Sequence, residues 1–323
     1  MPPVAPPVLK VFTHRTWEAH PPVGYPADAM RRNLQPDSSF EFKGLTLTLH
    51  KMWPGEGGPD TASDRASITL SYAPPDAQTG AITEDREVRE GEAFNWRELF
   101  HIAVPAIRTT KGELGYGVTE FEVAWLASLP PELARSTTAG DATLRLRIPH
   151  KINKITLHHS ATPLKPGDDF PKKLRALQTW GQKERNWWDV PYHFFVDLDG
   201  QIWQGRDFHF MGETNTTYNP WGYFLINCYG NYEEMEPNEK QIEAIVNLMA
   251  WACAEFGVPP TEIYGHRDLA ETSCPGKNLY RYLQDGTLKT RVAARLTAGA
   301  PKLIFVDEQP VLRSSAAPHR PGD

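Results

Sequence analysis

From Ser39 to Ile148 the chain alternates apolar and polar residues in short runs, "FEFKGLTLTLHKMW", "ASITLSY", "VTEFEVAWLASL" and "ATLRLRI", with Gly- and Pro-rich turns between them. A period of two, filled with β-branched and aromatic residues, predicts strands. Several short strands in series predict an all-β module, a small sandwich or barrel. From Lys154 the pattern changes to strands alternating with helices, which predicts an α/β unit. "DDFPKKLRALQTWGQKER" sets Phe170, Leu174 and Leu177 at helical spacing behind Asp169. "VPYHFFVDLDGQIWQGRD" has two apolar arms joined across Asp199-Gly200, a strong hairpin turn. "WGYFLINCYGNY" predicts a buried strand. In "NEKQIEAIVNLMAWACAEFG", Asn238 can cap a helix whose face is Ile242, Ile245, Val246 and Met249, and Gly257 ends it. A last helix is expected from Leu279 to about Leu296, continuous or broken at Gly286, ahead of a tail, "RSSAAPHRPGD", of disordered composition.

Composition narrows the class. At 323 residues the chain is long enough for two folded units. Hydrophobic residues make up 40% and charged residues 23%, the balance of an ordinary soluble globular protein. The formal net charge is −6, with no long block of Lys or Arg, so a nucleic-acid partner has no electrostatic footprint. No apolar run approaches the roughly 18 residues of a bilayer span, and "MPPVAPPVLK" lacks the charged start and apolar stretch of a signal peptide. Cys228, Cys253 and Cys274 are too few for a disulfide framework.

The candidate chemistry lies in two stretches. "KITLHHSATP" runs β-favouring residues into the pair His158 and His159, and "YGHRDLAETSCPG" holds His266 and Cys274 in one loop. A histidine at a strand end, joined to that loop histidine and a thiolate, would give zinc three protein ligands and leave the fourth position to water, the pattern of a catalytic site. Spacing alone is a weak signal, because single His and Cys residues are more often packed or solvated.

The blocks "ITLHHSAT", "WDVPYHFFVDLDGQIWQGRD", "GNY" and "YGHRDLAETSCPG", in that order between Lys154 and about Leu283, carry more. They resemble the zinc N-acetylmuramoyl-L-alanine amidases of type 2, a family that includes phage lysozyme-amidases and the peptidoglycan recognition proteins. The resemblance implies a mixed β-sheet flanked by helices, and hydrolysis of the amide between N-acetylmuramic acid and the L-alanine of the stem peptide. It implies a Zn2+ cofactor held by His158, His266 and Cys274, with Tyr192 and Thr272 as catalytic residues beside it. Zinc lowers the pKa of its bound water toward ~7, and the two hydroxyls would serve the oxyanion, unless Tyr192 instead orients the water. Relatives that only recognise peptidoglycan commonly lack the cysteine, so Cys274 argues for an enzyme over a non-catalytic binding protein. Asn227 stands where one branch carries a glutamate general base. His159 reads as a packed or supporting residue, His193 as core or as a second route to the site, and Glu233 and Glu234 as solvated loop charges. Asp268 would either fix a ligand tautomer or cap its loop. Trp180, Trp187, Trp188, Trp203, Trp221 and Tyr218 gather around these blocks, and "TNTTYNPWGY" (Thr214 to Tyr223) is the loop expected to contact glycopeptide.

"VFTHRTWEAHPP" (Val11 to Pro22) resembles the opening of peptidoglycan recognition proteins, which precedes the histidine strand by a short stretch. The expected organisation is an arm of the amidase domain at 1–30, an inserted β-rich accessory module at 31–148, the catalytic domain at 149–300 and a partly disordered tail at 301–323. A separate N-terminal β domain followed by a linker is the competing arrangement. Expected partners are peptidoglycan or muropeptides, and the substrate implies a periplasmic or extracellular location.

Overall fold

The structure, a computed structural model, describes residues 6–13, 29–58, 63–74, 80–109, 117–129, 151–185, 187 and 189–307. The strand expected over "ATLRLRI", the stretch after Thr13 through Pro22, Trp188 and the tail "RSSAAPHRPGD" lie outside those residues.

β1 (Val8–Thr13) belongs to a sheet whose other members follow much later in the chain. Between them come β2 (Ala29–Leu34), β3 (Ser38–Phe42), β4 (Leu45–Trp53), β5 (Arg65–Tyr72), β6 (Ile82–Arg89), β7 (Ala93–Trp96), β8 (Phe100–Arg108) and β9 (Val118–Trp125). These pair antiparallel in two four-stranded sheets, ordered β2-β9-β8-β7 and β3-β4-β5-β6. Alternation along β4 and β5 turns Leu45, Leu47, Leu49, Ile68 and Leu70 inward, where they meet Phe100, Ile102, Phe121 and Val123 of the other sheet in one core. Both sheets are open among the described residues, so the module is a sandwich and not a barrel; each sheet buries one face against its partner rather than closing on itself.

The second unit runs through β10 (Lys154–His159), α1 (Phe170–Glu184), β11 (Phe194–Val196), β12 (Ile202–Gln204), β13 (Tyr223–Cys228), α2 (Glu239–Phe256), β14 (Ile263–Gly265), α3 (Lys277–Gln284), α4 (Thr287–Ala298) and β15 (Lys302–Asp307). Its mixed seven-stranded sheet has the order β14-β10-β13-β11-β12-β1-β15, antiparallel only at the β11–β12 hairpin. Asp169 caps α1 by accepting from Lys172 N at 3.0 Å, and Asn238 with Gln241 closes a capping box on α2. The apolar face of α2, including Ile242, Ile245 and Met249, packs on Phe194, Phe224 and Ile226 of the sheet. Gly286, at φ +79°, breaks the last helix into α3 and α4. β15 occupies the start of the segment expected as a tail, because Leu303 and its neighbours pair with β1. Since β10, β13 and β14 run parallel, their carboxyl ends share one edge, where α/β sheets commonly hold ligands.

Candidate metal centre

His158 and His159 are the last residues of β10. The register pair Leu157 and Gly265 makes His266, the residue after β14, the neighbour of His158, with ring centroids 4.6 Å apart. Cys274 is returned to them by a loop in which Arg267 N donates to Cys274 O at 2.9 Å. Gly276 completes that loop at φ +87°, and a Cβ there would meet the Tyr232 carbonyl carbon at 2.4 Å, so the turn needs glycine. His159 N donates to Cys274 Sγ at 3.3 Å, a contact suited to a thiolate. One ligand-type atom from each of His158, His266 and Cys274 lies within 4.8 Å of the others, and His158 Nδ1 is 3.7 Å from the sulfur.

The outer edges of both rings are held by hydroxyls of a single loop. Tyr218 OH pairs with His158 Nε2 at 3.2 Å, and Thr216 Oγ1 with His266 Nε2 at 2.7 Å. His266 Nδ1 is then left buried without a hydrogen-bond partner, a state that costs about 1–3 kcal/mol unless something satisfies it. Burial pushes the His266 imidazole down to about 3, with His159 adding to the effect. Burial does the same to His158, followed by the neighbouring His266, His159 and His193. Both rings are neutral at pH 7, the form that ligates metal. Two imidazoles and a sulfur, with an orphaned nitrogen among them, fit zinc.

The cluster forms part of the wall of a cavity of about 830 Å3, which Tyr192, Thr216, Thr272 and Trp180 also line. Arg108 and Val118 bring the β sandwich into that lining. The Tyr192 ring lies 4.8 Å from that of His158. Burial, then Cys274, lifts its phenol above the ordinary range, against an opposite pull from the Asn227 amide, so it stays a donor. Thr272 Oγ1 accepts from Cys274 N at 3.2 Å and keeps its own proton to give. Asn227 stands beside His158 in the strand register, fully buried, with its amide toward the Tyr192 phenol.

Other expected residues fall elsewhere. His193 is core: its Nδ1 accepts from Leu225 N and its Nε2 donates to Phe210 O. Asp268 accepts from Gly265 N and Tyr280 OH, so it caps its loop and leaves the ligand tautomers to Thr216 and Tyr218. Glu233 is a loop anchor rather than a solvated charge, accepting from Lys277 N at 2.8 Å and pairing with Arg267 at 3.2 Å. Thr216 and Tyr218 lie in the stretch expected to touch glycopeptide; the only signal of their role in the sequence is a hydroxyl-rich loop.

Residues 149–277 match the family described as N-acetylmuramoyl-L-alanine amidase. Peptidoglycan recognition protein 1 of Bos indicus is 30% identical over 153 residues, which cover 45% of this chain and 77% of that protein. The chain belongs to this amidase and peptidoglycan recognition family. N-acetylmuramoyl-L-alanine amidase of Mus musculus is 32% identical over 144 residues, 43% of this chain and 27% of that one. Across the first three amidases the matched share is 27%, 23% and 22%, so the chain spans about a quarter of their length. Among solved structures, Drosophila peptidoglycan recognition protein LB matches at 26% identity and a TM-score of 0.39, covering 43% of this chain and 82% of the wild-type chain or 83% of a mutant chain in complex with tracheal cytotoxin.

Proposed function

We propose that the protein is a zinc-dependent peptidoglycan hydrolase that cleaves the amide between N-acetylmuramic acid and the L-alanine of the stem peptide. The observation that carries this reading is the convergence of His158, His266 and Cys274 on the wall of an open cavity, with His266 Nδ1 buried and unpartnered. When bound, zinc supplies a Lewis acid and a water activated at neutral pH. The chain's own residues do the rest. His158 and His266 stay neutral and are aimed by Tyr218 and Thr216. Tyr192 keeps its proton in reach of the scissile carbonyl or the attacking water, and Thr272 offers a second hydroxyl. Trp180, 39% exposed on the same wall, gives a sugar ring an aromatic face.

The partners follow as peptidoglycan or muropeptides, and the place of action as the periplasm or cell exterior. The position of β1 inside the amidase sheet supports reading residues 31–148 as an insertion into the domain that begins with β1.

The test is release of new L-alanine amino termini from purified peptidoglycan. Chelation should abolish release, added zinc should restore it, and Cys274→Ser should lack it. A second reading, peptidoglycan binding without cleavage, draws on Asn227, a neutral amide where a carboxylate base would stand. Peptidoglycan retained by the protein with no amino termini released would favour that reading.

A further inference from the structure

The loop that holds both histidine rings is itself held by the β sandwich. Asn33, in β2, sends its amide nitrogen to two carbonyls of that loop, Thr214 O at 2.9 Å and Thr216 O at 2.7 Å. Two residues away, Arg31 is buried at the junction, donating to Glu122 of β9 at 2.7 Å and to Glu213 at the start of the loop. Glu213 also accepts from Arg206 at 3.0 Å, and Arg206 in turn donates to the carbonyls of Asp189, Val190 and Met211. Thr214 Oγ1 pairs with Thr216 Oγ1 at 2.7 Å, and Thr216 Oγ1 with His266 Nε2 at 2.7 Å. Hydrogen bonds thus connect a strand of the sandwich, through the Thr216 backbone and then its hydroxyl, to the outer edge of a ring in the metal cluster.

We propose that the β sandwich is a working part of the metal centre, with Asn33 a positioning residue that acts through Thr216 to fix the His266 ring for metal binding. The inference rests on the zinc reading above. Its logic is that of outer hydrogen bonds to ligating histidines, which set ring orientation and tautomer and whose loss typically weakens metal binding about 10–100-fold. Asn33 fixes the loop backbone on both sides of Asn215, so the Thr216 hydroxyl has one place to be. Arg31 and Glu213 supply the surrounding rigidity, but they are a poor choice for substitution. Removing one member of a buried ion cluster leaves an uncompensated charge and threatens the fold itself.

The experiment measures zinc affinity of the full-length apoprotein by competition with a chromophoric chelator, and the visible absorption of the cobalt-substituted protein, for wild type, Asn33→Ala, Thr216→Val and the double variant. Asn33→Ala should weaken zinc binding about tenfold and alter the cobalt bands. The double variant should bind zinc within about twofold of Thr216→Val alone, since both changes remove the same support. Asn33→Ala with unchanged zinc affinity and cobalt spectrum, whatever its melting temperature, would overturn the proposal, and so would strictly multiplicative effects in the double variant. Wild-type protein that binds neither ion would overturn the zinc reading and this proposal together. Because affinity is measured without substrate, wild-type protein that binds zinc but cleaves no peptidoglycan would overturn the amidase reading alone, while the variants still decide the role of Asn33.

Discussion

Tyr192 has its phenol lifted above the ordinary value of 10 by burial and then by Cys274. A raised pKa keeps the hydroxyl protonated as pH climbs through 10, so Tyr192 does not itself set the alkaline limit of activity. Tyr192→Phe should therefore lower kcat by about 10²–10³-fold, the usual cost of one oxyanion donor, with KM little changed and the alkaline limb of the pH profile unmoved. Amino-terminus release against pH checks both halves of that statement. At this scale the sequence marks His158, His266 and Cys274 through the resemblance of the blocks that carry them to the amidase family, since their residue types and spacing alone are a weak signal. Thr216 and Tyr218 were not legible, since a hydroxyl becomes a ligand's partner only through where its loop is folded. Glu233 and Asp268 show the same limit. Each was identifiable as a loop carboxylate, but which backbone N–H it accepts depends on the approach of Lys277 and Gly265.

At the scale of elements, the loop carrying Cys274 depends on Gly276. Gly276→Ala combines a positive φ with a backbone contact at 2.4 Å, and should cost about 2 kcal/mol or more while loosening Cys274. Urea denaturation and zinc affinity would both fall; a stable protein with intact affinity would mean that the loop adapts. Periodicity made α1 legible, because it has a solvent side and a core side that differ in sequence; α2 was legible from its Asn238 cap, its apolar run and Gly257, and the β11–β12 hairpin from the Asp199-Gly200 turn between two apolar arms. Periodicity was less informative for β8, where every residue from Phe100 to Ile107 is buried, and for β9, whose outward Glu120 and Glu122 are 6% and 1% exposed. Those two carboxylates look like the wet face of a half-buried strand until Arg31 of β2 pairs with them and, on its other side, with Glu213 of the second unit. Burial on both faces erases the alternation that a strand otherwise displays.

For the whole molecule, the seven-stranded sheet is assembled from distant parts. β1 lies between β12 and β15, Val11 is fully buried, and β15 has no other strand neighbour among the described residues. A fragment lacking residues 1–148 should consequently fail to fold as a soluble zinc-binding unit, even though it retains every residue of the metal cluster. Limited proteolysis and near-ultraviolet circular dichroism of that fragment are the measurements. A compact, zinc-loaded product would favour a separate N-terminal β domain over an insertion.

The pairing of β1 with β15 also sets an order of events in synthesis. Thr13 and Val306, joined by a hydrogen bond, are 293 positions apart. While the chain is still emerging from the ribosome, β2 through β9 already have all their partners and can complete the sandwich, whereas β1 has neither of its own. The strand translated first among the described elements must stay unpaired until the hairpin arm β12 appears, and its other side until the last strand leaves the tunnel. Closure of the seven-stranded sheet thus follows the emergence of its last described strand, and the sandwich, complete by then, is the body against which it closes.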